Sequence, residues 1–269
     1  MLPLFYRVAA RPLAPLAVVY LKWRRKRGKE DPRRYLERQG VTGTARPQAP
    51  LLWIHAASVG EATAMLALIE RLLQAGPMLE ILVTTGTVTS AHLLESRLPA
   101  RARHQFVPVD LPGWIARFLD HWRPDMALWV ESELWPNLIL ATHARGIPMA
   151  LVNARLSASS YARWQKWRGL IRPVLRAFSL CLAQDEEQAR RFRQLGRHAR
   201  AVARIRPVQH RAAEPGRLER IVTALGDERS TDKSNPSEPV KQPELAHRIG
   251  KIDIRLPGDR LTSAASRDP

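Results

Sequence analysis

LLWIHAASVGEATA, residues 51–64, decides the fold: an apolar run, a corner of small residues, then a carboxylate that opens a helix. Leu51 to His55 reads as a short buried strand, and from Glu61 to Ala75 apolar residues recur at Ala64, Leu66, Ile69 and Leu72, the spacing of an amphipathic helix. A strand-to-helix corner lies at the carboxyl end of a parallel strand, where open α/β sheets place their ligands, and the free amides of the new helix favour negative charge nearby. Glu61 is therefore the first candidate for chemistry. Ser58-x-x-Glu61 is equally the signature of a capping box, in which Ser58 bonds the N3 amide and Glu61 bonds back to the cap. The two readings are compatible.

Working outward, apolar runs alternate with helical patterns from Leu51 to about Leu195, which predicts a parallel sheet with helices on its faces. The expected strands are Leu51–His55, Leu79–Thr84, His104–Val107, Met126–Val130, Pro148–Asn153 and Leu180–Ala183. Helices are expected between them at Glu61–Ala75, Thr89–Leu98, Gly113–Trp122, Trp135–Arg145 and Ala158–Ala177, with a last one at Asp185–Leu195. This is the pattern of a Rossmann-like α/β domain. It lacks a Gly-x-Gly-x-x-Gly fingerprint, which argues against a dinucleotide at the first turn.

Other strand ends carry polar residues that suit a site. In WVESELWPN, residues 129–137, Glu131 and Glu133 follow a buried strand, and two carboxylates there exceed what a helix start needs. Asn153, Arg155 and Ser157 follow the fifth strand, with Arg155 able to grip a phosphate or carboxylate in bidentate fashion, or to stand solvated on a loop. Thr84, Thr85, Gly86 and Thr87 occupy the equivalent place after the second strand and could line a sugar or phosphate pocket. Trp164 and Trp167, among Arg163, Lys166 and Arg168, mark either a basic aromatic surface or a core-facing helix side.

The net charge of +18 points to an acidic partner, and residues 1–49 hold 12 Lys and Arg against 3 Asp and Glu. Half of the net charge thus lies beside the most apolar terminus, which favours an anionic membrane surface over nucleic acid. In residues 1–23 the longest uncharged run after Arg11 is Pro12 to Leu21, too short to span a bilayer. Residues 1–27 are expected to be a monotopic anchor, apolar side in the acyl boundary and the Lys22 to Arg27 cluster on headgroups. A secretory signal and a core-packed helix are the rivals. Cys181 is the single cysteine, which excludes an internal disulfide and a Cys-rich zinc site.

Taken together, Gly28-Lys29-Glu30, Ser58-Val59-Gly60-Glu61, Thr84-Thr85-Gly86-Thr87, Pro108-Val109-Asp110-Leu111-Pro112, Glu131 to Asn137, Asn153 to Ser157 and Ala183-Gln184-Asp185-Glu186 resemble the motifs of the Kdo transferases. That family moves 3-deoxy-D-manno-octulosonic acid (Kdo) from CMP-Kdo to the lipid A precursor. The resemblance implies the N-terminal Rossmann-like domain of a GT-B glycosyltransferase, inverting, with neither metal nor cofactor, on the cytoplasmic face of a Gram-negative inner membrane. It implies Glu61 as general base and Glu131 as transition-state stabiliser, with Ser58, Gly60, Thr84, Thr85, Gly86, Thr87, Glu133, Asn153, Arg155 and Ser157 around the substrates.

The resemblance also marks a departure. Family members continue past the Gln-Asp-Glu-Glu helix with a lysine-bearing segment and a second domain that holds CMP. Residues 197–269 are instead rich in Arg, Pro, Ser and Asp, and are expected to be a mostly disordered tail, the product of a frameshift or truncation. The expected division is an anchor at 1–27, an acceptor-binding domain at 28–196 and this tail. Two functional classes follow: a Kdo transferase inactive without its donor half, and a non-catalytic membrane-associated module that binds the acceptor.

Overall fold

The structure is a computed structural model, and it describes residues 2–56, 59–130, 133–196 and 200–201. The chain opens with α1 (Leu2–Ala10), a 3-10 turn (Arg11–Leu13) and α2 (Ala14–Lys26), followed by a second 3-10 turn (Tyr35–Gln39). Then come β1 (Leu51–His55), α3 (Val59–Ala75), β2 (Glu80–Thr85), α4 (Val88–Glu95), β3 (Ala102–Phe106), α5 (Pro112–Trp122) and β4 (Met126–Val130). The series ends with α6 (Pro136–Ala144), β5 (Met149–Ala154), α7 (Ala158–Lys166), α8 (Arg168–Arg176), β6 (Leu180–Ala183), α9 (Glu186–Gln194) and β7 (Arg200–Ala201). All strand pairs are parallel, in the order β3-β2-β1-β4-β5-β6-β7. The chain winds outward from β1 in one direction and then from β4 in the other, so the topological switch point falls between β1 and β4.

Helices on both faces explain why the strands are apolar without alternation. On β1, Leu51 and Trp53 enter one core with Trp129, Phe118 and Phe178, while Leu52 and Ile54 enter the other with Met65, Ile69 and Leu72 of α3. Trp53 sits between Trp129 and Phe118 at centroid separations of 4.8 and 5.0 Å, in edge-on and tilted geometries that favour the ring quadrupoles. Cys181 is buried in the same core.

The expected elements differ from the observed ones in three informative ways. The helix expected over Ala158–Ala177 is two helices, broken at Trp167, which has φ −109° and ψ 37°. The break lets α8 bury Leu170, Ile171, Val174 and Leu175 while α7 buries no residue. The sheet also gains β7, which pairs with β6 beyond the boundary expected at residue 196. Apart from this short strand, the tail lies outside the described residues. Finally, the helical path from Leu2 to Lys26 runs for 25 residues and is long and apolar enough to cross a membrane by length and composition. Counting only the uncharged run from Pro12 to Leu21 therefore underestimates it. Instead of standing apart, this path lies on the domain, with Ala10 and Leu21 buried against Leu111 and Trp114.

Gly40 closes the second 3-10 turn at φ +75°, and a Cβ there would stand 2.0 Å from the carbonyl oxygen of Trp114. Both the backbone sign and the close approach to α5 require glycine. Gly40→Ala is expected to destabilise the protein by about 3 kcal/mol or more, the sum of a left-handed non-glycine residue and displaced backbone. Urea denaturation checks this; a loss below about 1 kcal/mol would show that α5 yields freely.

Candidate active site at the carboxyl edge of the sheet

The sheet's carboxyl edge at the switch point is built from the ends of β1, β2 and β4. His55 pairs with Thr84 on one side and Trp129 on the other, so the segments after these strands emerge side by side. Glu61 lies in the first turn of α3, half-buried, one residue after the exposed Gly60. Gly60 has open space where a Cβ would stand, which leaves the amino end of α3 accessible. Ser58 and Glu131 lie outside the described residues, so neither the capping box nor the proposed stabiliser receives a geometry.

Glu133 stands in the loop before α6, where its Oε2 accepts the indole N–H of Trp135 at 3.1 Å. Its carboxyl is raised above the ordinary range, first by burial, and also by the nearby charge of Glu61, against the pull of Trp135 and Arg38. The charge of Glu61 thus reaches Glu133 across the switch point.

Arg38 is a charged residue near this edge that the sequence pattern does not single out. It reaches under the same edge from the second 3-10 turn, donating through Nη1 to the carbonyl of Val107 at 2.5 Å. Its Nε is buried without a hydrogen bond and stands 3.5 Å from Glu30, which Arg24 holds more closely at 2.6 Å. Burial depresses the affinity of Arg38 for its proton, an effect that Glu30 and Glu133 oppose. Two guanidinium groups thus share one buried carboxylate, leaving a surplus of positive charge that Glu133 feels. The only signal in the sequence is an Arg-x-x-x-Arg spacing in a stretch without periodicity.

The threonines after β2 fall differently from expectation. Thr84 is fully buried, its hydroxyl accepting the indole N–H of Trp53 at 2.8 Å and sharing a hydrogen bond with Nδ1 of His55 at 3.0 Å. Thr85 is also buried and bonds Nε2 of His104 at 2.9 Å. Both hydroxyls are committed inside the domain, which removes them from a ligand pocket. Thr87 caps α4 by accepting the amide of Ser90 at 3.2 Å, and Ser157 caps α7 by accepting that of Ser160 at 3.1 Å. Gly86 stays open, with no atom within 4 Å of the place a Cβ would take. Asn153 adopts φ +53° where the β5–β6 register shifts, and Arg155 stands exposed just beyond it. Among the described residues, Gly60, Glu61, Gly86, Glu133, Asn153 and Arg155 of the expected set lie at or near the surface of this edge.

Asp110 fixes the loop that carries Glu133. Its carboxylate accepts the amides of Leu138 at 2.8 Å and Asn137 at 3.2 Å, closing the amino end of α6 from a distant segment. Tyr6 of α1 donates its hydroxyl to the same carboxylate at 3.1 Å, so the N-terminal helix and the loop share one anchor. Asp110→Asn is expected to cost about 1–2 kcal/mol of stability, as loss of a charged cap does. Chemical denaturation checks it; an unchanged midpoint would show that water replaces the carboxylate without loss.

A buried and a half-buried histidine give the edge a pH signature. Burial holds the His55 imidazole down at about 4, aided by Arg38, and that of His104 at about 3, aided by Arg34. Below the ordinary value of 6.5 the unfolded chain takes up protons that the native state refuses, so stability falls as pH drops from 6.5 towards 4. Each histidine contributes up to about 1.4 kcal/mol per pH unit. His104→Gln is expected to reduce that slope by about this amount in urea titrations across the window. An equal slope in both proteins would show that His104 titrates normally.

These features define a doubly wound α/β domain with carboxylates after the strands that flank its switch point. The family of 3-deoxy-D-manno-octulosonic-acid transferases matches residues 33–208, and the chain belongs to it. The match extends past Gly196 and includes β7. Among relatives, a probable mitochondrial 3-deoxy-D-manno-octulosonic acid transferase of Arabidopsis thaliana is 39% identical over 192 residues, covering 71% of this chain and 43% of that protein. The 3-deoxy-D-manno-octulosonic acid transferase of Rickettsia bellii is 38% identical over 184 residues, covering 68% and 44%. The chain thus spans less than half the length of these curated relatives. Among solved structures, a UDP-GlcNAc 2-epimerase from Neisseria meningitidis bound to UDP-GlcNAc is similar with a TM-score of 0.43 and 13% identity, covering 68% of this chain and 51% of that one.

Proposed function

We propose that this chain supplies the acceptor side of an inverting transfer of Kdo from CMP-Kdo to the lipid A precursor, in the assembly of the lipopolysaccharide inner core. The observation that supports it most is that Glu61, in the first turn of α3, and Glu133, in the loop before α6, follow the two strands that flank the switch point of a domain belonging to the Kdo transferase family. In this reading Glu61 takes the proton from an acceptor sugar hydroxyl as its oxygen bonds the anomeric carbon, while the bond to the CMP phosphate breaks with its electron pair. Glu131 stabilises charge on the sugar, and Glu133, Asn153 and Arg155 orient the reactants. Arg38 opposes the upward shift of the Glu133 carboxyl. The reaction uses no metal or cofactor, and the CMP leaving group is held by the remaining half of the transferase architecture.

The N-terminal helices suit a membrane-bound acceptor. Phe5, Leu16 and Val19 are 70%, 66% and 65% exposed, and with Val8 and Trp23 they form one apolar stripe at helical spacing, followed by the basic run Lys22 to Arg27. In this reading the stripe rests on the cytoplasmic face of the inner membrane.

The test is a fusion of residues 1–208 to the donor half of the Rickettsia bellii relative, assayed with CMP-Kdo and lipid A precursor by lipid mass. Transfer is expected, and Glu61→Gln is expected to lower its rate by roughly 10² or more. Unchanged turnover with lower thermal stability would instead make Glu61 a helix cap. A second reading is a non-catalytic acceptor-binding module. It predicts that the full chain binds the lipid without adding a Kdo-sized mass.

A further inference from the structure

The corner between α7 and α8 carries features that the transferase reading does not use. Trp167 is 52% exposed there, whereas Trp164 packs partly against the core. A half-exposed tryptophan is unusual on a soluble face but common at a water–lipid boundary, where an amphipathic ring places its apolar body and its N–H in different media. The sequence around it carries one sign of charge. Residues 134–184 contain no Asp or Glu, while Arg163, Lys166, Arg172 and Arg176 all stand exposed around the corner. None of these four forms an ion pair among the described residues. On α8, Arg168, Arg172 and Arg176 follow one another at single-turn spacing opposite the buried Leu170, Ile171, Val174 and Leu175, so the core face and the cationic face are cleanly separated.

The corner adjoins the apolar stripe. Leu2, at the start of α1, packs on Gly169, where a Cβ would stand 3.3 Å from its Cδ2. Leu4 and Phe5 are exposed within a turn of that contact, and Trp167 lies two residues from Gly169. The cations and the tryptophan therefore continue a surface that is already apolar and is itself followed by a basic run.

We propose that the α7–α8 corner is a second membrane contact, in which Trp167 enters the headgroup region of an anionic bilayer and Arg163, Lys166, Arg172 and Arg176 meet its phosphates. A lipid surface fits better than nucleic acid, because the charge is joined to an exposed aromatic ring and an apolar stripe that a polyphosphate backbone would leave in water. Two contacts, one on the helices and one on the corner, fix the tilt of the domain on the membrane, where a single helix would leave it free to rotate. The inference rests on the membrane reading of the N-terminal helices only for its location.

The experiment uses the full chain and vesicles of phosphatidylcholine with or without phosphatidylglycerol. Arg163→Gln/Lys166→Gln/Arg172→Gln is expected to weaken partitioning onto the anionic vesicles by about tenfold or more, an effect that salt diminishes. Trp167→Phe tests the ring separately: with brominated lipid in the vesicles, the quenched share of tryptophan fluorescence is expected to fall. All these side chains are exposed, and an unchanged thermal midpoint verifies the fold. A stripe variant, Phe5→Ser/Leu16→Ser/Val19→Ser, separates the two contacts. If it loses binding while the corner variants bind and quench as the parent does, the corner proposal is overturned and the helix reading stands. Loss of binding in neither set overturns both. Displacement of the vesicles from the corner by mixed-sequence DNA at near-physiological salt would overturn the lipid as its occupant.

Discussion

The carboxylate of Asp110 at the open end of α6 is the interaction on which the rest of this structure depends. A helix start leaves amides unpaired, and here Trp135 provides no side-chain cap while Pro136 occupies the first turn. Asp110 completes the helix from the loop after β3, which ties the β4–α6 segment to the other side of the switch point. Burial pushes its carboxyl upward, and the amides of Leu138 and Asn137 and the hydroxyl of Tyr6 pull it back. Their combined hydrogen bonds explain how a carboxylate this buried is tolerated. Because Tyr6 belongs to α1, the same group that seats Glu133 also seats the helix proposed to lie on lipid.

Much of this architecture is legible in the sequence, for a definite reason. Strands covered on both faces must be apolar throughout, so β1, β4 and β6 appear as runs whose expected and observed bounds coincide. The other strands shift by a residue or two, because their ends are set by partner hydrogen bonds and not by hydrophobicity. Glu61 is legible because the corner from strand to helix is short and places it by counting. The same doubly buried pattern hides which hydroxyls face inward. Thr84 and Thr85 read as pocket residues from position alone, yet the indole of Trp53 and the imidazoles of His55 and His104 claim them.

What the sequence hides is produced by contacts between distant segments. Trp164 and Trp167 look alike at a spacing of three, and only the backbone break at Trp167 sends one toward the core and the other to solvent. Arg38 precedes β1 in a segment with no apolar period, so its place under the sheet edge depends on Gly40 bringing the turn against α5. Asp110 reads as a turn residue between two prolines, and its partners on α6 lie 27 and 28 positions away.

The charge balance at the edge connects these parts. Arg24, at the basic end of α2, binds Glu30, which is 2% exposed, and Glu30 also faces Arg38. A lone buried carboxylate between two guanidinium groups leaves a surplus positive charge, and a buried surplus is costly unless something opposes it. Glu133 is the group that opposes Arg38 from the cleft side, while Glu61 disfavours the same ionisation. The charge of Arg38 thus pulls the Glu133 carboxyl down while burial and Glu61 push it up, with the net direction upward. Two carboxylates at one switch point would ordinarily drive one of them to the neutral form. A desolvated arginine beneath them works against that outcome, and its position is set by the ion pair with the same segment that leaves the N-terminal helices. The electrostatics of the proposed site and the placement of the proposed membrane surface are therefore linked, by the ion pairs from Arg24 through Glu30 to Arg38 and by the charge of Arg38 acting on Glu133.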